Sequence, residues 1–380
     1  MTHHVNTIII GGGVIGCSIA FELAKRGKKV AVLERGRLAG EASGAAAGML
    51  AAQAEMEKSG PLFELARRSR SMFPALAEEL RELSGIDIAL VRKGMLKVAM
   101  TADEALSLKH IMEFQRKSGE RAEWLSGTEV RAREPGLSEA VIGAMWIPED
   151  GHVLAPELTQ ALAVSAGVLG ADLMEFTDVR SLVLENGRAA GVVTQHGLIG
   201  CDQLVIASGA RAGELLDQAG SPLPIYPVKG ECVSVISRPP LLTSTIFSHG
   251  CYLVPKRGGR IVIGATSTEH CYDKRVTASG VAVLLDRAKR LVPNIVNAEW
   301  EKAWTGLRPQ TEDGLPYIGE HPDWKGLFVA AGHYRNGILL SPVTGKLVAD
   351  LMEGKSWDIP MEAFRLNRNH GERKQAEVVW

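Results

Sequence analysis

At 380 residues and 46% apolar content, the chain is long enough for two cores, consecutive or intertwined. Lysine and arginine total 43 against 44 aspartate and glutamate, so no global field favours nucleic acid or an anionic membrane surface. Cys17, Cys201, Cys232, Cys251 and Cys271 are dispersed without CxxC or metal-ligand spacing and read as free thiols in a reducing cytoplasm, with no metal site expected.

The start, Met1 to Asn6, lacks the charge pattern of a signal peptide. Thr7 to Arg35 then form one nucleotide-binding unit. Thr7-Ile8-Ile9-Ile10 is a strand, Gly11-Gly12-Gly13-Val14-Ile15-Gly16 turns into an apolar helix, and Lys29 to Glu34 is a second strand with an acidic end. Gly11 serves the tight turn, Gly13 leaves room for a pyrophosphate, and Gly16 lets the helix pack on the strand. The helix N-terminus offers free N–H groups to phosphate. Glu34 can accept from ribose hydroxyls, which disfavours a 2′-phosphate and hence NADP. The helix is apolar but too short for a bilayer and carries Glu22, so the chain is expected to be soluble.

A loop of small residues follows, Gly40 to Met49, the composition of backbone lying close to something. Residues 61–84 show an apolar face at helical spacing. A strand is predicted over 91–100 and a helix over 103–118. Ser126-Gly127-Thr128-Glu129 spells a capping box for a short helix ending before Pro135. Residues 141–147 read as a strand, Pro148 to His152 as a turn, and 156–169 as a helix. Asn186-Gly187 marks a hairpin between 179–184 and 190–194. A strand runs into Ala207-Ser208-Gly209, a further hairpin turns at 256–260 within 252–265, and 278–292 is helical. Trp304 to Pro309 precedes a strand at 327–331, and Gly332 to Gly337 leads into a helix at 338–353. The charged stretch Asn367 to Gln375 is expected to fray.

This pattern predicts an α/β fold: a Rossmann-like cofactor domain from 1–85, 149–218 and 305–380, with a mixed α+β substrate domain from 86–148 and 219–304 inserted into it. Arg308, between Leu307 and Pro309, has the planar fork that grips a carboxylate. Arg335 and Tyr252 are weaker candidates on residue type alone, and His152 reads as a structural histidine.

Several stretches together resemble the FAD-dependent amine oxidases that include glycine, sarcosine and D-amino acid oxidases, over nearly the whole chain. They are the nucleotide unit, Asp150-Gly151-His152-Val153, Pro227-Val228-Lys229-Gly230-Glu231, Gly306 to Pro309, Asp313 to Gly319 and Gly332 to Pro342. The last two, with Ala45 to Leu50, are most similar to the glycine oxidases of bacterial thiamine biosynthesis. The resemblance implies FAD, with Val14, Ile15, Glu34, Arg35 and Val179 around its adenosine half. It implies Ala42, Ser43, Ala47, Gly48 and Met49 along the flavin, and His333, Tyr334, Arg335, Asn336, Gly337, Ile338 and Leu339 around the ring. Arg308 is implied to hold a substrate carboxylate, Tyr252 to donate a hydroxyl, and Arg335 to position the substrate. Hydride then passes from Cα to the flavin without a protein acid or base, giving an imine, glyoxylate and ammonia, with oxygen reduced to hydrogen peroxide.

The resemblance also implies a homotetramer. No cysteine lies between 272 and 380, so the covalent flavin link of sarcosine oxidase is unavailable and FAD is expected to be noncovalent. Gly250 replaces a histidine usual two positions before the tyrosine, and Ser267 replaces a methionine. Both departures predict a roomier or more polar pocket. A sarcosine or D-amino acid oxidase stays open, as do a flavin dehydrogenase that passes electrons to a partner, an NAD-dependent dehydrogenase and a nucleotide sensor.

Overall fold

The structure is a computed structural model that describes residues 3–368. The charged residues 369–375 lie outside them.

Two sheets organise the chain. The first has eight strands, with the spatial order Tyr317–Glu320, Leu327–Ala331, Gly197–Ile206, His3–Ile10, Val30–Leu33 and Asp172–Met174. Its centre is parallel: Thr7 to Ile10 lie in register with Val30 to Leu33 on one side and with Gln203 to Ile206 on the other. The β-branched run Ile8-Ile9-Ile10 suits such a strand, because helices and hairpins cover both faces. Ile9, Val32 and Val205 point into a core shared with the helices Val14–Lys25, Ala155–Val168 and Gly337–Met352. Ile8, Ile10 and Ile206 point the other way, against Leu215 and Leu216. The hairpin Val179–Glu185 and Arg188–Thr194 turns at Asn186 (φ 51°) and Gly187 (φ 73°), both left-handed as a primed turn requires.

The second sheet has nine strands. Ile225–Ile236 and Glu299–Thr311 run antiparallel over their whole lengths, from Ile225 opposite Thr311 to Ile236 opposite Glu299. Arg260–Gly264, Cys251–Pro255, Thr245–Ser248, Met95–Ala99, Gly143–Ile147 and Glu123–Ser126 continue it. The helix Ala278–Leu291 packs Leu284, Ala288 and Leu291 against Val233, Leu253 and Ile263. The predicted capping box is formed: the Ser126 hydroxyl accepts from Glu129 N–H while the Glu129 side chain accepts from Ser126 N–H. Thr101 and Glu104 form a second one. The long helix spans Pro61–Ser84, closed by Gly85 at φ 73°. The fold is thus the predicted α/β class, a Rossmann-like unit joined to a mixed sheet. Among the described residues no helix is long and apolar enough to cross a membrane.

Candidate active site

A cavity of about 850 Å³ runs from the C-terminal ends of the parallel strands to the second sheet. The first turn makes its floor. A Cβ on Gly11 would lie 2.5 Å from Ala207 O, and one on Gly16 would lie 1.9 Å from Gly11 O, so the strand, the turn and the helix Val14–Lys25 close up only with glycine. Gly11, Gly13, Val14 and Ile15 border the cavity at the helix N-terminus. Gly16 does not; its part is the close packing alone. The Val14 N–H donates to Ser43 Oγ at 2.9 Å, which ties the small-residue loop to this turn.

Glu34 lines the cavity and braces the same turn. Its two oxygens accept from Gly12 N–H and Gly36 N–H, each at 2.8 Å. Each oxygen keeps a lone pair for a further donor. Arg35 and Val179 border the cavity near it. Glu41 was absent from the sequence reading; it pairs with Arg35 at 3.5 Å and with Lys274, which reaches over from the loop before the helix Ala278–Leu291.

The loop of small residues lies between the two sheets. Ala42, Ser43, Ala47, Gly48 and Met49 all line the cavity. Gly48 has φ +81°, and a Cβ there would lie 2.1 Å from Val153 O. The indole of Trp304 donates to Ala45 O at 2.9 Å. At the far end Gly332 to Ile338 curl around the cavity and start the helix Gly337–Met352. His333 is buried, meets Thr344 Oγ1 at 3.1 Å, and is pushed down to about 3 by burial, so it is neutral. Leu339 follows them but is 1% exposed in the helical core and does not border the cavity. One further 100° step of the helix carries it away.

Three predicted residues meet at this end. The Arg308 guanidinium lies flat on Gly230, where a Cβ would be 2.3–2.5 Å from its Nη2, Cζ and Nη1 atoms. Its Nη1 donates to Thr266 O at 3.2 Å, and it has no carboxylate partner among the described residues. Tyr252 is buried opposite Gly264, and its hydroxyl meets Cys232 Sγ at 3.6 Å. Burial pushes the phenol well above its ordinary value, with Cys232 adding to this and the positive Arg308 opposing it. Gly230 and Cys232 are alternate residues of one strand, so one face of Ile225–Ile236 supports both side chains.

Arg335 is bound differently. Its Nε and Nη2 donate to Glu55 Oε2 and Oε1 at 2.8 and 2.9 Å. Burial works against its charge, but Glu55 outweighs this and raises the pKa. Glu55 was missed in the sequence, where its one signal is a lone acid in the alanine-rich stretch Ala51 to Met56. The two departures fall outside this centre. Gly250 is not at the cavity; its carbonyl accepts from Arg287 Nη1 at 2.6 Å. Ser267 is exposed and does not border the cavity.

An elongated cavity with a helix N-terminus along it, an acid at one end and a guanidinium with a phenol at the other defines a dinucleotide-dependent oxidoreductase for a small anionic substrate. The model of one family, the FAD-dependent oxidoreductases of the DAO type, matches residues 6–351, and the chain belongs to that family. Its cofactor is FAD. The glycine-lined turn, the braced Glu34 and the cradle of small residues fit such a group. The chain is 53% identical to glycine oxidase of Geobacillus kaustophilus over 98% of its own length and 99% of that protein's. The crystal structure of that enzyme superposes with a TM-score of 0.95, covering 97% of this chain and 100% of that one. A bifunctional ThiO/ThiG protein of Synechocystis is 37% identical, covering 96% of this chain and 54% of that protein. L-proline dehydrogenase of P. horikoshii is a more distant match, at 27% identity and TM-score 0.88, covering 97% of this chain and 98% of that one.

Proposed function

We propose that this enzyme oxidises glycine, and small amines such as sarcosine or small D-amino acids, to the imine and then to glyoxylate and ammonia, with oxygen reduced to hydrogen peroxide. The observation that carries the reading is Arg308, a guanidinium at the cavity without a carboxylate partner among the described residues. A substrate carboxylate supplies that partner in bidentate form. Tyr252 donates its hydroxyl to the same carboxylate, and Arg335 with Glu55 forms the wall that orients the amine side. Bound FAD supplies the chemistry, taking a hydride from Cα and passing the electrons to oxygen. His333 is neutral and held by Thr344, and Glu55 is committed to Arg335. Direct transfer from a neutral amine therefore suits the site better than proton abstraction by a side chain, with alignment and water exclusion as the protein's part.

The glycine oxidase and ThiO/ThiG relatives support a place in thiamine biosynthesis, where the imine feeds thiazole formation. The proposal includes noncovalent FAD, a cytoplasmic homotetramer, and a cofactor domain of 1–85, 149–218 and 305–380 with a substrate domain of 86–148 and 219–304. The test is anaerobic titration of the yellow enzyme with glycine, sarcosine and D-proline, followed by a peroxide assay in air. Bleaching by glycine and peroxide release are expected, and Arg308→Ala should lose both. A flavin that stays oxidised with all three amines refutes the reading. Bleaching without peroxide points instead to a dehydrogenase.

A further inference from the structure

We propose that Asp150 is a positioning residue for the substrate end of the cavity: it fixes the Gln53–Ala54 backbone so that Glu55 meets Arg335 in a two-bond ion pair. The inference rests on the proposed reading of that end as an amino-acid site. Asp150 opens the Asp-Gly-His-Val turn, whose Val153 packs against Gly48 but whose carboxylate has had no role in the site described so far. It is 0% exposed. Its Oδ2 accepts from Gln53 N–H at 3.0 Å and from Ala54 N–H at 2.9 Å, while Oδ1 accepts from Arg70 Nη1 at 2.6 Å. A buried carboxylate is tolerable only with such a set of donors.

The same stretch of chain is gripped from its other side. Gln115 Nε2 donates to Gln53 O at 2.8 Å and to Met56 O at 3.1 Å. Gln53 Nε2 donates back to Gln115 Oε1 at 3.0 Å, and Gln53 Oε1 accepts from Arg70 Nη1 at 2.9 Å. Arg70 also pairs with Glu120 at 2.5 Å. Three elements thus clamp residues 53–56: the helix Pro61–Ser84, the helix Ala102–Lys117 and the turn at 150. Within the clamped stretch Glu55 alone borders the cavity, and Asp150, Arg70, Gln53 and Gln115 do not. From the clamped stretch, Asp150 reaches the cavity through Glu55 and Arg335; Gly151 and His152 beside it also pair with Leu50 and Met49, so the double variant with Glu55→Gln is what isolates the first route.

The charges make this matter. With Glu55 in place, Arg335 is neutralised and Arg308 is the guanidinium left for a carboxylate. When the turn relaxes, Glu55 withdraws and Arg335 competes for the same carboxylate, which turns Cα away from its reacting position. Asp150→Asn tests this, because its NH₂ faces donors where an oxygen accepted from them. In the holoenzyme we expect the limiting rate of anaerobic flavin reduction by glycine to fall at least tenfold. Binding of acetate, followed by the flavin spectrum, should be no weaker, since it needs only a guanidinium. Exchange of the 51–57 amides should accelerate. The rate losses of Asp150→Asn and Glu55→Gln should be sub-additive in the double variant.

Gln115→Leu loosens the same stretch, residues 53–56, without touching a charge. It should show the same split, and it serves if Asp150→Asn does not accumulate as folded holoenzyme. Equal loss of glycine turnover and acetate binding, additive rate losses, or faster exchange with an unchanged rate would each overturn the proposal. The substrate reading fails separately: the unsubstituted enzyme would then not be bleached by glycine, and the positioning role would fall with it.

Discussion

Gly230→Ala isolates what holds Arg308 in place. The added Cβ would stand 2.3–2.5 Å from three atoms of the guanidinium, whereas ordinary contact begins at 3.4 Å. The guanidinium must therefore retreat by about 1 Å, the difference between those distances. The obstructing atoms are the far end of a flexible side chain, so the fold itself gives little resistance, and we expect a stability change below about 1 kcal/mol. Substrate binding does not share that tolerance. A misplacement of about 1 Å costs on the order of 100-fold when it separates groups that must be aligned. Losing good geometry in charge-assisted hydrogen bonds costs about 1.5–3 kcal/mol, or roughly 10- to 150-fold in affinity.

The assay is the anaerobic reductive half-reaction by stopped flow, which yields a glycine dissociation constant and a limiting rate from one concentration series. The dissociation constant should rise about 10- to 100-fold, with FAD retained and the melting temperature nearly unchanged. In an Arg308→Ala background, where glycine no longer bleaches the flavin, the same substitution should change neither FAD retention nor melting temperature, because the group it displaces is gone. A dissociation constant within twofold of the parent refutes the reasoning. So does a large fall in melting temperature, which would mean that the fold, not Arg308, needs glycine at 230.

Three further outcomes follow from the same geometry. Tyr252→Phe removes the hydroxyl proposed to donate to the carboxylate and should weaken glycine binding about tenfold with the flavin spectrum unchanged, as seen by the same titration. Glu34→Ala leaves the Gly12 and Gly36 amides without their acceptor, at a cost of about 1–3 kcal/mol; the variant should release FAD on dilution at concentrations where the parent keeps it, measured by flavin fluorescence. His152 and His333 are pushed from 6.5 to about 3 by burial, so they stay neutral in the fold while the unfolded chain protonates them. Their contribution is complete above pH 6.5 and is lost as the pH falls toward 3, at about 1.4 kcal/mol per pH unit for each; His333→Gln should flatten the fall in melting temperature between pH 6.5 and 4.

The legible part of this protein was the part written in backbone demands. Gly11 and Gly16 are required because a Cβ would strike Ala207 O or Gly11 O, and the residue type itself carries that information within one contiguous stretch. Asn186-Gly187 and Ser126 to Glu129 were readable for the same reason. The strands Ile225–Ile236 and Glu299–Thr311 were not read as strands. They carry lysine, glutamate, glycine and proline, and their stability lies in a register between distant segments. Pro309 is tolerated there because Glu299–Thr311 pairs on one side only.

Charge pairing is the least legible of all, because no local period marks it. Glu55 and Arg335 are 280 residues apart, and each alone looks like an ordinary charged side chain. From the sequence, Arg308 and Arg335 were two arginines of the same kind, told apart only by their neighbours. Once Glu55 stands opposite Arg335, they differ in kind: one is a compensated wall and the other an open cation. On the proposed reading, that difference decides which of them a carboxylate meets first. It is set by residues 53–56 and the groups that clamp them, which is why the turn at Asp150 bears on a site it does not touch.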